Sequence, residues 1–313
     1  MEPINQLDPV DIMVEIEPGM SGKAIARLLE KEGVIKSSTV FYLLLRFKEI
    51  NDLKSGYYRF STSATPLEII DKLRQGEEET FKVTIPEGFT LDEILARYSN
   101  LSFPEYDREI LAEYIDLYLG KLNLDFGFED KKVDNEIYFP AEGFIVPTTY
   151  SFPLSFDEED IAAALINYFT EKRLPFLKKA AARSEFSAYE ILIIASLIEE
   201  EGKLESENRI IASVIYNRLE AGMPLQLDAT VQYALEERTE RVLYSDLEID
   251  SPYNTYGVNA LPPTPIASPG DKAVEAAADP ADTDYLFYFA REDGSHVFTK
   301  DYEQHLQKQR ELN

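Results

Sequence analysis

No cysteine occurs among the 313 residues of this chain, so disulfides, thiolate zinc sites and thiol nucleophiles are excluded. Compartment stays open on that ground, because cytosol, periplasm and cell surface all accept a cysteine-free protein. Tryptophan is also absent, and any flat ring that lines a groove must come from the 19 tyrosines or 18 phenylalanines. With His296 and His305 the only histidines, a multi-histidine metal centre and a histidine-based triad are poorly supplied. Carboxylate sites remain available in principle, but we expect no metal and no cofactor. Positive charge is scarce: 31 basic residues stand against 58 acidic ones, and a net charge of −27 repels nucleic-acid phosphates and anionic lipid. Nucleic acid is therefore not an expected partner. No apolar run approaches the roughly 18 residues that span a bilayer, and the opening MEPINQLDPVD lacks the basic and apolar regions of a signal peptide. The chain as written is expected to be soluble.

What is present is enough apolar sequence, 44%, and enough length for two domains or one large one with an appendage. The rest is organised around Ser187 to Gly222. Ser187 followed by Glu190 is a capping box, which predicts a helix start. From Ile191 to Ile198 almost every side chain is apolar, so this helix is packed on all sides. It ends in Glu199, Glu200 and Glu201. At about 100° per residue, Glu201, seven positions after Ile194, falls roughly 20° from it and prolongs an apolar stripe. A carboxyl group carried inward without a cation has a raised pKa, which suits general-acid cleavage of a glycosidic bond. The plainer reading of an EEE run is a solvated helix end, although negative charge there opposes the helix dipole. A second helix from Glu205 stops at Gly222.

Along the chain, a strand at Ile12–Ile16, helices over Ala24–Leu29 and Ser37–Phe47 and a strand at Tyr57–Phe60 form one module; a helix from Pro66 to Arg74 follows, closed by Gly76. Shifting by 69 positions aligns Val14 with Val83, Ile16 with Ile85, Gly19 with Gly88 and Ile25 with Ile94. A second strand-turn-helix is expected there, through either a true repeat or shared local grammar. From Leu101 to Phe139 the pattern is helical and then acidic, with Phe126 and Phe128 around Gly127, and a boundary is placed near Pro140. Beyond it come a loop or short strand at AEGFIVPTTYSFP, helices over Asp157–Lys172, Thr230–Glu237 and Asp271–Ala278, and the loop SPYNTYGVNALPPTPIASPG. That proline-rich loop suits either a groove wall or a plain surface connection. A hairpin across EDGS pairs Tyr285–Phe289 with His296–Phe298, and His296 on it is read as structural rather than catalytic.

Several of these segments together resemble the YceG-like endolytic murein transglycosylases, the MltG family, over nearly the whole chain. They are LKSGYYRF from Leu53, EGFIVPTTY from Glu142, ASLIEEEG from Ala195, IASVIYNRLEAGMPLQLDATVQYAL from Ile211, SPYNTY from Ser251, LPPTPIASPG from Leu261 and GSHVF from Gly294. The resemblance implies an α+β fold: a LysM-like N-terminal module in 1–80, a strand-helix connecting region in 81–139, and a mostly helical lysozyme-like catalytic domain with a small hairpin in 140–313. It implies an enzyme that cleaves peptidoglycan between N-acetylmuramic acid and N-acetylglucosamine, leaving 1,6-anhydro ends, with Glu201 as the catalytic acid. Gln226, Asp228, Tyr253, Asn254 and Thr255 match the groove motifs as substrate-binding residues, with Glu199 and Glu142 supporting.

Three positions depart from the family pattern: Gly202 stands for the usual threonine, Ala229 for the proline of D-P-T, and Thr148 for the aspartate of P-D-T-Y. None removes the acid. Family members usually carry an N-terminal transmembrane helix, so the resemblance implies an anchor outside this chain, a place in the cell envelope on the outer side of the cytoplasmic membrane, and cell-wall synthesis proteins as partners. A hydrolytic muramidase using Asp228 or Glu199 as second carboxylate, and a non-catalytic peptidoglycan-binding scaffold, are the alternatives.

Overall fold

The structure is a computed structural model that describes residue 4 and residues 8–122, 139–236, 239 and 242–312. Expectations about Phe126, Gly127, Phe128 and the end of a helix at Glu237 lie outside those residues. Contacts divide the chain into two compact units, residues 1–83 with 150–157 and residues 84–149 with 158–313.

In the first unit β1 (Asp11–Ile16) pairs antiparallel with β2 (Gly56–Ser61), Val14 opposite Tyr58 and Ile16 opposite Gly56. Between them run α1 (Gly22–Lys31) and α2 (Ser38–Phe47), capped by the Ser21 and Ser37 hydroxyls, and α3 (Pro66–Gln75) follows with a Thr65–Glu68 capping box. Alternation in the strands and the apolar faces of these helices enclose one core that includes Val14, Ile25, Leu29, Phe41, Tyr58 and Leu73. This is the strand-helix-helix-strand module read from the sequence.

The strand β3 (Thr80–Ile85) leads to α4 (Leu91–Ser99) and reproduces the β1–α1 grammar closely. Both strands alternate exposed and buried positions identically and end on a buried Ile16 or Ile85. Gly19 and Gly88 both take a left-handed φ, 80° and 74°, and Ser21 and Thr90 cap the two helices. The expected second strand-turn-helix is thus present, with the same turn and cap chemistry.

In the second unit α5 (Arg108–Lys121) precedes β4 (Thr148–Pro153), which pairs with β3; both strands contribute residues to each unit. Next come α6 (Glu158–Lys172), α7 (Leu174–Ala181) and α8 (Ala188–Glu201), then α9 (Asn208–Glu220), α10 (Asp228–Ala234) and α11 (Asp271–Ala278). The chain closes with the hairpin β5 (Phe287–Ala290) and β6 (His296–Thr299) and with α12 (Tyr302–Leu312).

The centre of this unit is α8. Ser187 caps it through Glu190 N–H while the Glu190 carboxylate accepts the Ser187 N–H, the capping box predicted from the sequence. Residues 191–198 are all buried, and burying each Ile or Leu there contributes about 1.5–3 kcal/mol. The polar exception, Ser196, donates to the Ile193 carbonyl and accepts the Ile266 N–H, tying the loop before α11 to the core helix. Helices α7, α9, α10 and α11 all pack on α8, so its C-terminal end is held on a rigid frame.

Candidate active site

Three glutamates end α8, and each meets a different environment. Glu199 is half-buried, accepts the Gly270 N–H at 3.0 Å, and has its carboxyl pushed up by that burial. Glu200 is half-buried and lines a cavity of about 570 Å³, rather than standing free in solvent as an exposed helix end would. Glu201 is half-buried, and the Tyr288 hydroxyl donates to its Oε2 at 3.1 Å. Burial pushes the Glu201 carboxyl up to about 7; the Tyr288 hydroxyl and the Ala229 N–H pull the other way, and the charges of Asp228 and Glu200 add to the rise. No lysine or arginine forms an ion pair with Glu201 among the described residues. The raised carboxyl is what the helical phase predicts, although Glu201 is half-buried like its two neighbours rather than withdrawn from water altogether.

Gly202 follows because nothing larger fits. A Cβ at that position would collide with the Asn208 Oδ1 and the Ile198 carbonyl, so the space of the usual threonine is filled here by the buried Asn208. The chain then turns through Glu205–Glu207 into α9.

Residues 224–228 pass beside the glutamates. Gln226 is exposed in the left-handed region at φ 54°, a conformation that costs a non-glycine residue about 1–2 kcal/mol. It is held there by its N–H bonding the Thr255 carbonyl and by Arg218, whose guanidinium donates to the Pro224 and Leu225 carbonyls and to Gln226 Oε1. Asp228 is exposed, and its Oδ1 accepts the Tyr256 hydroxyl at 2.5 Å. The structure thus brings Glu201, Asp228, Tyr256 and Tyr288 together.

Tyr253, Asn254 and Thr255 occupy a different position from a groove lining. All three are buried, and their polar atoms are spent inside the protein. The Tyr253 hydroxyl pairs with Thr264 at 2.8 Å, Asn254 Nδ2 donates to the Leu247 and Ile249 carbonyls, and Thr255 Oγ1 accepts the Leu227 N–H and pairs with Thr230. Thr255 fastens the SPYNTY loop to the start of α10, while Tyr253 ties it to Thr264 and Asn254 to the segment before it.

Glu142 is fully buried. Leu91 N–H donates to both of its carboxyl oxygens and the Tyr233 hydroxyl donates to Oε2 at 3.0 Å, yet burial outweighs these donors and pushes its carboxyl up to about 8. It thereby caps the start of α4. The next residue, Gly143, lies at φ 81° with Pro265 packed so closely that a Cβ would stand 2.6 Å from it. Glu142 and Glu200 share the 570 Å³ cavity with Arg108, Gln232, Tyr233 and Ala229; Glu201 itself is not on its wall.

Sequence reasoning missed Tyr288, Tyr256 and the Ala229 N–H as neighbours of Glu201. The hairpin carrying Tyr288 was legible, but nothing local links it to a residue 87 positions earlier. His296, read as structural, bonds the Glu207 carboxylate through Nδ1 at 2.7 Å and through its backbone N–H. No group of three or more metal-ligating side chains forms among the described residues.

Fold and site together define a carboxyl-centred site on a mixed α+β scaffold, with tyrosine hydroxyls in place of histidine around the acid. The chain belongs to the YceG-like family, whose profile matches residues 14–311. It is 36% identical to an endolytic murein transglycosylase of Bacillus subtilis (strain 168), over 97% of this chain and 86% of that protein. It is 29% identical to an endolytic murein transglycosylase of Streptococcus pneumoniae serotype 2, over 92% of this chain and 56% of that longer protein. The crystal structure of a yceG-like protein from Listeria monocytogenes superposes with a TM-score of 0.65 at 32% identity, covering 96% of this chain and all of that one.

Proposed function

We propose that this protein is an endolytic peptidoglycan lytic transglycosylase that cuts the β-1,4 bond between N-acetylmuramic acid and N-acetylglucosamine, with Glu201 as its acid. The observation that carries this reading is the state of Glu201: a partly accessible carboxyl held near pH 7, on the rigid end of a buried helix, beside a loop that presents Gln226 and Asp228 to solvent. Such a group holds a proton at neutral pH and gives it up readily.

In the proposed reaction the Glu201 proton passes to the glycosidic oxygen as the C1–O bond breaks. The resulting carboxylate then takes the proton of the muramic acid 6-hydroxyl as that oxygen bonds to C1. The proton count at Glu201 is restored, the product is a 1,6-anhydro end, and no water is consumed. Gln226 and Asp228 contact the glycan, Tyr253, Asn254 and Thr255 hold their loop in place, Glu199 anchors the loop before α11, and Glu142 steadies the start of α4. No cofactor enters this scheme.

The same reading assigns a LysM-like module to the N-terminal region and a lysozyme-like catalytic domain to residues 140–313, and places the protein in the cell envelope in contact with the wall and its synthetic machinery. No helix among the described residues is long and apolar enough to cross a membrane.

The test is digestion of purified sacculi followed by mass spectrometry of the released glycan. Products lighter by one water than hydrolytic muropeptides, formed by the native protein and not by Glu201→Gln, are expected. Reducing ends without anhydro sugar would identify a muramidase instead, and sacculus binding without turnover by either form would identify a scaffold.

A further inference from the structure

A carboxylic acid has two oxygens, and a general acid is efficient only when its proton sits on the one that faces the leaving group. At Glu201 the two oxygens are not equivalent. The Tyr288 hydroxyl donates to Oε2 at 3.1 Å, and burial and the Glu201 charge raise the phenol far above its ordinary range, so it stays a neutral donor throughout any working pH. The oxygen that accepts the phenol's hydrogen bond is the poorer seat for a proton, so the phenol biases the proton toward Oε1.

Tyr288 is itself held from two sides. Across the hairpin it lies opposite Phe298, and its ring meets the His296 ring edge-on at 5.3 Å, while His296 is fixed by two bonds to Glu207 in the turn that follows α8. On the other side the buried Arg218 donates to the Leu286 carbonyl at 2.6 Å, lies over the Phe287 ring at 5.1 Å, and bonds the Leu225 carbonyl of the loop bearing Gln226. These contacts set the hairpin in register with both α8 and the 224–228 loop. Among the described residues Arg218 forms no ion pair, and its guanidinium is used as this backbone-to-backbone clamp.

We propose that Tyr288 is a positioning residue: its hydroxyl seats the proton of Glu201 on Oε1 and stabilises the carboxylate left after proton transfer, with Glu207–His296 and Arg218 fixing its place. This rests on Glu201 being the acid. The groups that face Glu201 are Glu200 from its own helix, Asp228 and the Ala229 N–H from α10, Tyr256 from the neighbouring loop and Tyr288 from β5. Of these, Tyr288 alone donates a side-chain hydrogen bond to it among the described residues.

Tyr288→Phe removes one oxygen and keeps the ring. On sacculi we expect kcat to fall about tenfold with KM within about twofold. The alkaline limb of the pH–rate profile should move upward by about one pH unit, because a lost donor to the carboxylate raises the acid's pKa. The titration of Glu201 in the free protein, followed by carboxyl-13C NMR and assigned from the Glu201→Gln difference spectrum, should move the same way. Incorporation of 3-fluorotyrosine, a stronger donor, should move it downward, which covers the case in which the phenylalanine variant folds poorly. Activity lost with no change in either titration would mean a merely structural Tyr288 and overturn the inference. If Glu201→Gln stays active, the acid assignment itself fails; if it is inactive and Tyr288→Phe matches the native profile, only the positioning role fails.

Discussion

Glu142 and Glu201 are both glutamates drawn out of water by the same unit of the fold, and both carboxyls are pushed well above their ordinary range. Their surroundings differ in what they leave free. Glu142 has no exposed surface and gives its oxygens to Leu91 N–H and Tyr233 O–H, both from elements it holds together. Glu201 keeps partial exposure; the Tyr288 hydroxyl donates to its Oε2 and the Ala229 N–H also supports the carboxylate, but the group as a whole still reaches solvent. A raised carboxyl pKa alone therefore does not mark an acid catalyst; access from solvent separates the two.

The sharpest break in that comparison is in turnover. Glu201→Gln preserves shape and loses the proton, and rates on sacculi should fall by about 10²–10⁴ or more while the thermal midpoint stays close to native. Comparable turnover in native and variant protein would show that Glu201 is no more an acid catalyst than Glu142. Glu142→Ala should do the reverse: it strands the Leu91 N–H and the Tyr233 hydroxyl in a buried site and leaves a cavity, at about 2–4 kcal/mol of stability by chemical denaturation. A loss under about 0.5 kcal/mol would show that Glu142 is no keystone.

Much of this was readable from the amino-acid order. The Ser187 cap, the all-apolar stretch from Ile191 to Ile198 and the phase of Glu201 are local and periodic, and they led to a buried core helix with a carboxyl carried inward. The β1–α1 and β3–α4 parallels were readable for the same reason, since turn glycines and caps repeat at one spacing. Asp228 was readable beside Glu201 only through motif matching, and Tyr256, Tyr288 and the Ala229 N–H were not readable, because they reach it only through tertiary packing. Motif matching also could not separate Gln226 and Asp228, which face solvent, from Tyr253, Asn254 and Thr255, which are spent holding the loop. Burial, not residue type, makes that division.

The comparison also has a pH signature. Glu142 titrates near its ordinary value in the unfolded chain and at about 8 when folded, so between about 4.5 and 8 the folded state binds the extra proton. Its contribution to stability is fully present below about 4.5, falls as pH rises by up to about 1.4 kcal/mol per unit, and is lost above about 8. Glu201 acts in the same direction up to about 7. Denaturant unfolding at a series of pH values, native against Glu142→Gln, isolates the first: the variant's stability should decline less steeply with rising pH across that window. Parallel curves would contradict the buried, protonated state assigned to Glu142.

The smallest expected effect comes from the place where this chain departs from its family pattern. Ala229 sits in the first turn of α10 and its N–H supports the Glu201 carboxylate, a donor that the proline of the D-P-T motif cannot supply. Proline is tolerated in the first turn of a helix, so Ala229→Pro should fold and remove that one donor. The Glu201 titration should then rise by a few tenths of a pH unit, less than for Tyr288→Phe, because the amide ranks below the Tyr288 hydroxyl among the groups that hold the carboxylate. Carboxyl-13C NMR of the three proteins orders them directly. A larger shift for Ala229→Pro than for Tyr288→Phe would make the amide, rather than the phenol, the main support of the anion, and would move the difference between Glu201 and Glu142 from the hairpin to the start of α10.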